Sequence, residues 1–187
     1  MIKEIENLIL SSSDIIKRSV NLSNQIETSV KTITECLRNE NKIIIFGNGG
    51  SAADAQHIAA EFIGRFKLER KSYPAIALTT DTSILTSLSN DYSSDVIFSR
   101  QCESLVSKGD IVIGISTSGN SKNVENGIVT AKEKGAITIG LLGNDGGALK
   151  NMVDIPLIVE SSETPRIQEV HRVIYHIICE LVEDELV

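Results

Sequence analysis

The run Lys42-Ile43-Ile44-Ile45-Phe46-Gly47-Asn48-Gly49-Gly50-Ser51, passing straight into Ala52-Ala53-Asp54-Ala55-Gln56-His57-Ile58-Ala59-Ala60-Glu61-Phe62-Ile63-Gly64-Arg65, constrains this chain more than any other stretch. Its opening is apolar and β-branched, as in a strand buried on both faces, and the glycines then yield to an alanine-rich helix. Strand, glycine turn and helix make an anion-binding arrangement. Glycine lets a ligand approach main-chain N–H groups, and the helix N-terminus adds unpaired donors and partial positive charge. At about 100° per residue, Asp54, His57, Glu61 and Arg65 share one arc, with Ala52, Ala55, Ala59, Phe62, Ile63 and Phe66 opposite. His57 and Glu61, one turn apart, can share a substrate or a metal ion. A solvated face with an incidental ion pair fits the same pattern.

A chain of 187 residues suits one domain with a sizeable core. Hydrophobic residues at 41% and charged residues at 23% are those of an ordinary globular protein. The net charge of −7 argues against a nucleic-acid partner, which draws on clustered Lys and Arg. No apolar run reaches membrane-spanning length, and Met1-Ile2-Lys3-Glu4-Ile5-Glu6 lacks a signal-peptide pattern, so the expected location is cytoplasmic, with no membrane partner. Cys36, Cys102 and Cys179 are far apart and form no CxxC pair, which predicts reduced, buried thiols. Helical phase brings Cys179 near the ligand face described below.

Apolar positions Ile5, Leu8, Ile9, Ile15, Ile16, Leu22, Ile26, Val30, Ile33 and Leu37 recur at helical spacing, predicting one long or two consecutive helices from Ile2 to Arg38. Such an arm, residues 1–40, must bury its stripe somewhere, and a sister subunit is one place. Further along, strands are expected at Pro74–Leu78, Asp110–Ile115, Ala136–Leu142 and Val153–Val159. Helices are expected at Ile84–Leu88, Asp95–Lys108, Ser121–Lys134 and Pro165–Leu186, with a helical turn at Ala148–Met152. Apolar strands alternating with helices predict an α/β fold with a parallel sheet covered on both faces.

Gly114-Ile115-Ser116-Thr117-Ser118-Gly119-Asn120-Ser121 ends one of these strands and precedes a helix, the edge at which open α/β sheets bind ligands. Its hydroxyls and the helix N-terminus suit a phosphate monoester; a plain turn with Ser121 capping the helix is the simpler alternative. The first loop also fits Gly47-x-Gly49-x-x-Ala52, a loose dinucleotide fingerprint. Its acidic partner is poorly met by Glu69 or Asp81, and no Walker lysine precedes Ser51. On the terminal helix, which Thr164 can cap, Gln168, Arg172 and His176 form a polar stripe opposite Val170, Val173, Ile174, Ile177, Ile178 and Leu181. His171 falls off that stripe and reads as structural or interfacial.

Taken together, Phe46-Gly47-Asn48-Gly49-Gly50-Ser51-Ala52 with His57, Glu61 and Arg65, the Gly114–Ser121 loop, and Arg166-Ile167-Gln168-Glu169-Val170-His171 with His176 closely resemble the phosphoheptose (sedoheptulose 7-phosphate) isomerases of the sugar isomerase (SIS) fold. The resemblance covers nearly the whole chain. It implies a single SIS domain over 1–187, a three-layer αβα sandwich with a flavodoxin-like, doubly wound parallel sheet, and an N-terminal helical oligomerisation arm. It also implies a homotetramer with sites between subunits. The implied reaction converts sedoheptulose 7-phosphate to D-glycero-D-manno-heptose 7-phosphate through an enediol, the first step toward heptose precursors for lipopolysaccharide or capsule.

By the same resemblance Ser116, Thr117, Ser118 and Ser121 hold the phosphate. Asn48, Gly49, Gly50, Ser51, Arg65, Asp91 and Gln168 contact substrate. Glu61 and His176 form the acid–base pair, and His57, Glu61, Gln168 and His176 bind one zinc per subunit. One departure is visible: Thr164-Pro165 precedes Arg166 where some members carry an acidic residue. The alternative is a non-catalytic relative that binds sugar phosphates or a replication initiator; the joint presence of Glu61 and His176 favours the enzyme.

Overall fold

The computed structural model describes all residues from Met1 to Val187. In chain order it contains α1 (Ile2–Arg18), α2 (Ser23–Arg38), β1 (Ile43–Gly47), α3 (Gly50–Ile63), β2 (Ala75–Ala77), α4 (Thr82–Asp91) and α5 (Ser99–Leu105). These are followed by β3 (Ile111–Ser116), α6 (Lys122–Glu133), β4 (Ile137–Gly143), β5 (Ile155–Val159) and α7 (Thr164–Leu186). A 3-10 turn at Ser19–Leu22 divides the N-terminal helical segment in two.

All five strands are parallel, in the order β2-β1-β3-β4-β5. Side chains alternate across the sheet, so each strand feeds two cores. Ile43, Ile45, Ile111, Ile113, Ile115, Ile139 and Leu141 pack with α2, α3 and α7. Ile44, Phe46, Val112 and Leu142 pack on the other face with Phe98, Cys102, Val124 and Ile128 of the α5–α6 side. The result is the expected three-layer αβα sandwich. Pro156 sits in β5, an edge strand, where its missing N–H costs no ladder bond.

Several local expectations are revised. Asp95–Lys108 is not one helix: Ser94–Val96 is a 3-10 turn, and α5 ends before Val106 turns extended toward Gly109 at φ +92°. The helix expected at Ile84–Leu88 extends to Thr82–Asp91 because the Asp81 carboxylate caps it, accepting from Ile84 N at 3.0 Å. Thr164 is the first residue of α7 rather than its cap; Glu163 holds that position without a side-chain bond, and Pro165 fits the first turn.

In the arm, Ile15, Leu22, Ile26, Val30 and Ile33 enter the core, whereas Ile5, Leu8 and Ile9 are exposed in the single chain. Ile177 and Leu181, expected to face inward, line an open groove with Ile26 and Val30 between α2 and α7. All three cysteines are free and buried, and burial raises the Cys36 thiol to about 11 and the Cys102 thiol to about 12. Cys179 lies among Ile58, Phe62, Ile113 and Tyr175, in the core rather than on the ligand face. No helix is long and apolar enough to cross a membrane.

Candidate active site

In a sheet ordered 2-1-3-4-5 the winding reverses between β1 and β3, and the crevice beyond their carboxyl ends is the expected ligand site. The glycine loop follows Gly47 of β1, and the serine loop begins at Ser116, the last residue of β3. Gly47 registers with Ile115, so the two loops leave the sheet side by side. Asn48 and Asn123 then exchange amide hydrogen bonds of 2.8 and 3.0 Å across the gap.

Neither adjoining helix spends a side chain on its N-terminus: α3 begins after Gly49, at φ +55°, and α6 after Ser121, both without a side-chain cap bond. In α3 the N–H groups of Ser51 and Ala52 turn back onto the Asn48 and Gly49 carbonyls, which leaves the α6 N-terminus the more open of the two to a ligand. The Ser121 hydroxyl, free of the capping role, sits 2.9 Å from Ser116 Oγ, which is 3.4 Å from Ser118 Oγ. Three hydroxyls thus converge above a helix N-terminus. Thr117 anchors the loop through its carbonyl, which accepts from Asn144 Nδ2 at 2.9 Å.

A second wall holds the serine loop in place. A Cβ on Gly143 would lie 2.2 Å from the Thr117 carbonyl oxygen, and one on Gly119 2.2 Å from that of Gly146. Asn120 Oδ1 accepts from Ala148 N at 2.9 Å. The loop after β4 therefore packs backbone to backbone against the serine loop. Gly143, Asn144 and Gly147 are supporting residues that sequence reading missed; Asn144-Asp145-Gly146-Gly147 after a predicted strand was the available signal.

On the other side of the crevice α3 faces α7. His57, Glu61 and His176 each offer a ligand atom, and these atoms lie within 4.8 Å of one another. His57 Nε2 is 2.8 Å from Glu61 Oε1, and the rings of His57 and His176 meet edge to face with centroids 5.2 Å apart. Burial lowers the pKa of His176, the neighbouring His57 lowers it further, and Glu61 opposes both. The neutral imidazole is the resting form at neutral pH. Two imidazoles and a carboxylate, with one side open, form a donor set suited to a divalent transition ion. Gln168 begins the same stripe of α7 and lies directly over the glycine loop, where a Cβ on Gly50 would come within 2.5 Å of its Nε2.

The polar arc expected on α3 is only partly realised. Asp54 is buried, 2% exposed, because α7 covers the first half of the helix: it pairs with Arg172 at 2.9 Å and accepts from the Tyr175 hydroxyl at 3.3 Å. Ile63, assigned to the inner side, is exposed. Arg65 lies beyond the end of α3 and pairs with Glu69 at 3.6 Å. Asp91 is exposed at the end of α4 and accepts from Asn90, and Ser51 is buried beneath the glycine loop. His171 is structural: it is fully buried, its Nε2 lies 3.0 Å from the Leu142 carbonyl oxygen, and burial depresses its pKa to about 4.

A clamp below the site also escaped sequence reading. Glu183, on the last turns of α7, accepts from the N–H groups of Phe66, Lys67 and Leu68 and from Arg70 Nε. Burial alone would raise its pKa, but these donors prevail and hold it below the ordinary value. Arg70 in turn donates to the carbonyls of Glu61 and Phe62, tying the end of α3 to α7.

Residues 9–143 match the SIS domain model. Over 165 residues the chain is 59% identical to a phosphoheptose isomerase of Geobacter sp. (strain M21), covering 88% of this chain and 86% of that one. The chain belongs to the phosphoheptose isomerase family of SIS-domain proteins. Two solved phosphoheptose isomerases agree with it in three dimensions. That of Neisseria gonorrhoeae has a TM-score of 0.93 at 39% identity, covering 98% of this chain and all of that one. That of Francisella tularensis has a TM-score of 0.94 at 34% identity, with 98% of both chains covered. Both loops lie at the carboxyl edge of β1 and β3, and His57, Glu61 and His176 lie two to three turns further along α3 and α7.

Proposed function

We propose that this protein isomerises sedoheptulose 7-phosphate to D-glycero-D-manno-heptose 7-phosphate, supplying heptose for lipopolysaccharide or capsule precursors. The observation that carries the reading is the meeting of His57, Glu61 and His176 on α3 and α7, in a chain that also brings three serine hydroxyls together at the start of α6. The hydroxyls of Ser116, Thr117, Ser118 and Ser121 and the α6 N-terminus hold the phosphate. Asn48, Gly49, Gly50, Ser51, Arg65, Asp91 and Gln168 contact the sugar.

The phosphate anchor sets C1 and C2 of the ketose against α3 and α7. A base removes a proton from C1, the electron pair forms the C1–C2 double bond, and the carbonyl oxygen at C2 takes a proton to give the enediol. Loss of the proton from the C1 hydroxyl then forms the aldehyde as C2 is reprotonated. Glu61 and His176 are the acid–base pair; His176, held neutral at neutral pH, is in the form that accepts a proton. Positioned groups of this kind contribute about 10² to 10⁴-fold. The donor set of His57, Glu61 and His176, with Gln168 as fourth ligand, is assigned to one zinc ion per subunit. When bound, zinc acts as a Lewis acid toward the substrate oxygens.

The exposed Ile5, Leu8 and Ile9 of α1 and the α2–α7 groove support a homotetramer in which residues 1–40 serve as the oligomerisation arm of a single 1–187 domain. Incubation with sedoheptulose 7-phosphate and zinc, followed by borodeuteride reduction and mass spectrometry, tests the reaction. Deuterium at C1 marks the aldose product, and label confined to C2 refutes isomerisation and favours a sugar-phosphate-binding role.

A further inference from the structure

Tyr175 stands at the centre of a polar network whose donors and acceptors can be counted. Its hydroxyl lies 3.0 Å from Arg172 Nε, 3.3 Å from Asp54 Oδ1 and 3.0 Å from His57 Nδ1. Arg172 can only donate, and it also binds Asp54 Oδ1 through its terminal nitrogen at 2.9 Å. The Asp54 carboxylate can only accept. A tyrosine hydroxyl is protonated at neutral pH and has one proton to give. With that proton directed to Asp54, the hydroxyl oxygen has only lone pairs left for its remaining partners. His57 must then present Nδ1–H to it, which leaves the Nε2 lone pair facing Glu61 Oε1 at 2.8 Å. Two acceptors at that distance require a positive species between them.

We propose that Tyr175, held by Asp54 and Arg172, is the positioning residue that fixes His57 as the Nδ1–H tautomer and so presents Nε2, together with Glu61, to a divalent metal ion. The inference rests on the metal reading of His57 given above. Partners of metal-bound imidazoles fix the tautomer and ring orientation, and their loss weakens metal binding by about 10- to 100-fold. Tyr175 is suited to the task because its ring is locked in the core, 2% exposed, edge to face with the rings of His57 and His176, and its hydroxyl reaches His57 Nδ1.

The test compares the full-length protein with Tyr175→Phe, which keeps the buried ring and removes only the hydroxyl. Zinc affinity is measured by competition with a chromophoric chelator. The nitrogen shifts of His57 in the zinc-loaded protein are read by ¹⁵N NMR, with His171 and His176 as the other imidazoles to assign. The expected results are coordination through Nε2 with Nδ1 protonated, and zinc binding about 10- to 100-fold weaker in the variant. kcat at limiting zinc should fall while KM for the sugar phosphate holds. Wild-type protein that takes zinc through Nδ1, or a folded variant with wild-type affinity, overturns the role of Tyr175 alone. Wild-type protein that takes no zinc overturns the metal reading and this inference together. Should the variant fail to fold, the wild-type spectrum decides.

Discussion

Asn48 and Asn123 pair through both amide groups, 2.8 Å in one direction and 3.0 Å in the other, closing a bridge between the glycine loop and the first turn of α6. The bridge fixes the spacing between the glycine loop and the start of α6. Each bond has a net value of about 0.5–1.5 kcal/mol. Asn123→Ala is expected to raise KM for the sugar phosphate about 5- to 10-fold with a smaller change in kcat. Steady-state kinetics check this, and an unchanged KM would remove the bridge from substrate binding.

Gly50→Ala separates activity from stability. Alanine is favoured over glycine within a helix by about 1 kcal/mol, yet its Cβ would fall 2.5 Å from Gln168 Nε2, the movable end of a side chain. The variant should melt at or above the wild-type temperature while losing at least about tenfold in kcat/KM, since small displacements in an active site are expensive. Equal activity would show that Gln168 need not lie over the loop.

Glu61→Gln is expected to lower turnover by about 10² or more while leaving sugar-phosphate binding, measured calorimetrically, within about threefold, because the phosphate anchor is untouched. Near-normal turnover would take Glu61 out of the mechanism.

Glu183→Ala would leave Arg70 Nε and three backbone N–H groups without their acceptor and the Arg70 charge without its counter-ion. Both side chains of this pair are nearly inaccessible, 4% and 2% exposed, and loss of one partner of a buried ion pair costs about 3–5 kcal/mol. Chemical denaturation measures the loss. A change below about 1 kcal/mol, the range of exposed pairs, would show that the clamp does not hold α3 to α7.

His171 makes folding sensitive to acid. Its folded pKa of about 4 lies below the ordinary 6.5, so between these values the unfolded chain binds a proton that the folded chain refuses. Its contribution is intact above pH 6.5 and is lost as pH falls toward 4, by about 3 kcal/mol in all. His171→Gln, which keeps a donor for the Leu142 carbonyl, should flatten this part of the stability profile in denaturation series from pH 7 to 4. An unchanged slope would assign the acid sensitivity to other groups.

The layers of the fold were legible because β1, β3 and β4 are mostly apolar runs that lead into glycine-containing loops, a pattern dictated by burial on both faces. Helical spacing put His57 and Glu61 on one polar stripe and His176 on another, but only the resemblance to the phosphoheptose isomerases joined the three into one site. Asp54 was misread for the same reason: periodicity describes one helix at a time, and only the packing of α7 shows that Arg172 and Tyr175 cover that carboxylate. Glu183 lay beyond reach because its partners are backbone N–H groups of a loop with no sequence signature. The division of Asp95–Lys108 was lost because no Gly or Pro falls within it to mark the breaks at either end of α5.

The adjacency of β1 and β3 has a bearing on how the protein comes to work at all. The chain places α3, β2, α4 and α5 between these neighbours, so the crevice at their carboxyl edge arises from a contact between distant segments. Contacts of that kind come at the cost of closing long loops and form late relative to local helices. A half-made sheet with all its helices in place would still lack the paired loops. Regain of turnover during refolding is therefore expected to lag behind regain of helical content, making catalysis itself a clock for completion of the sheet.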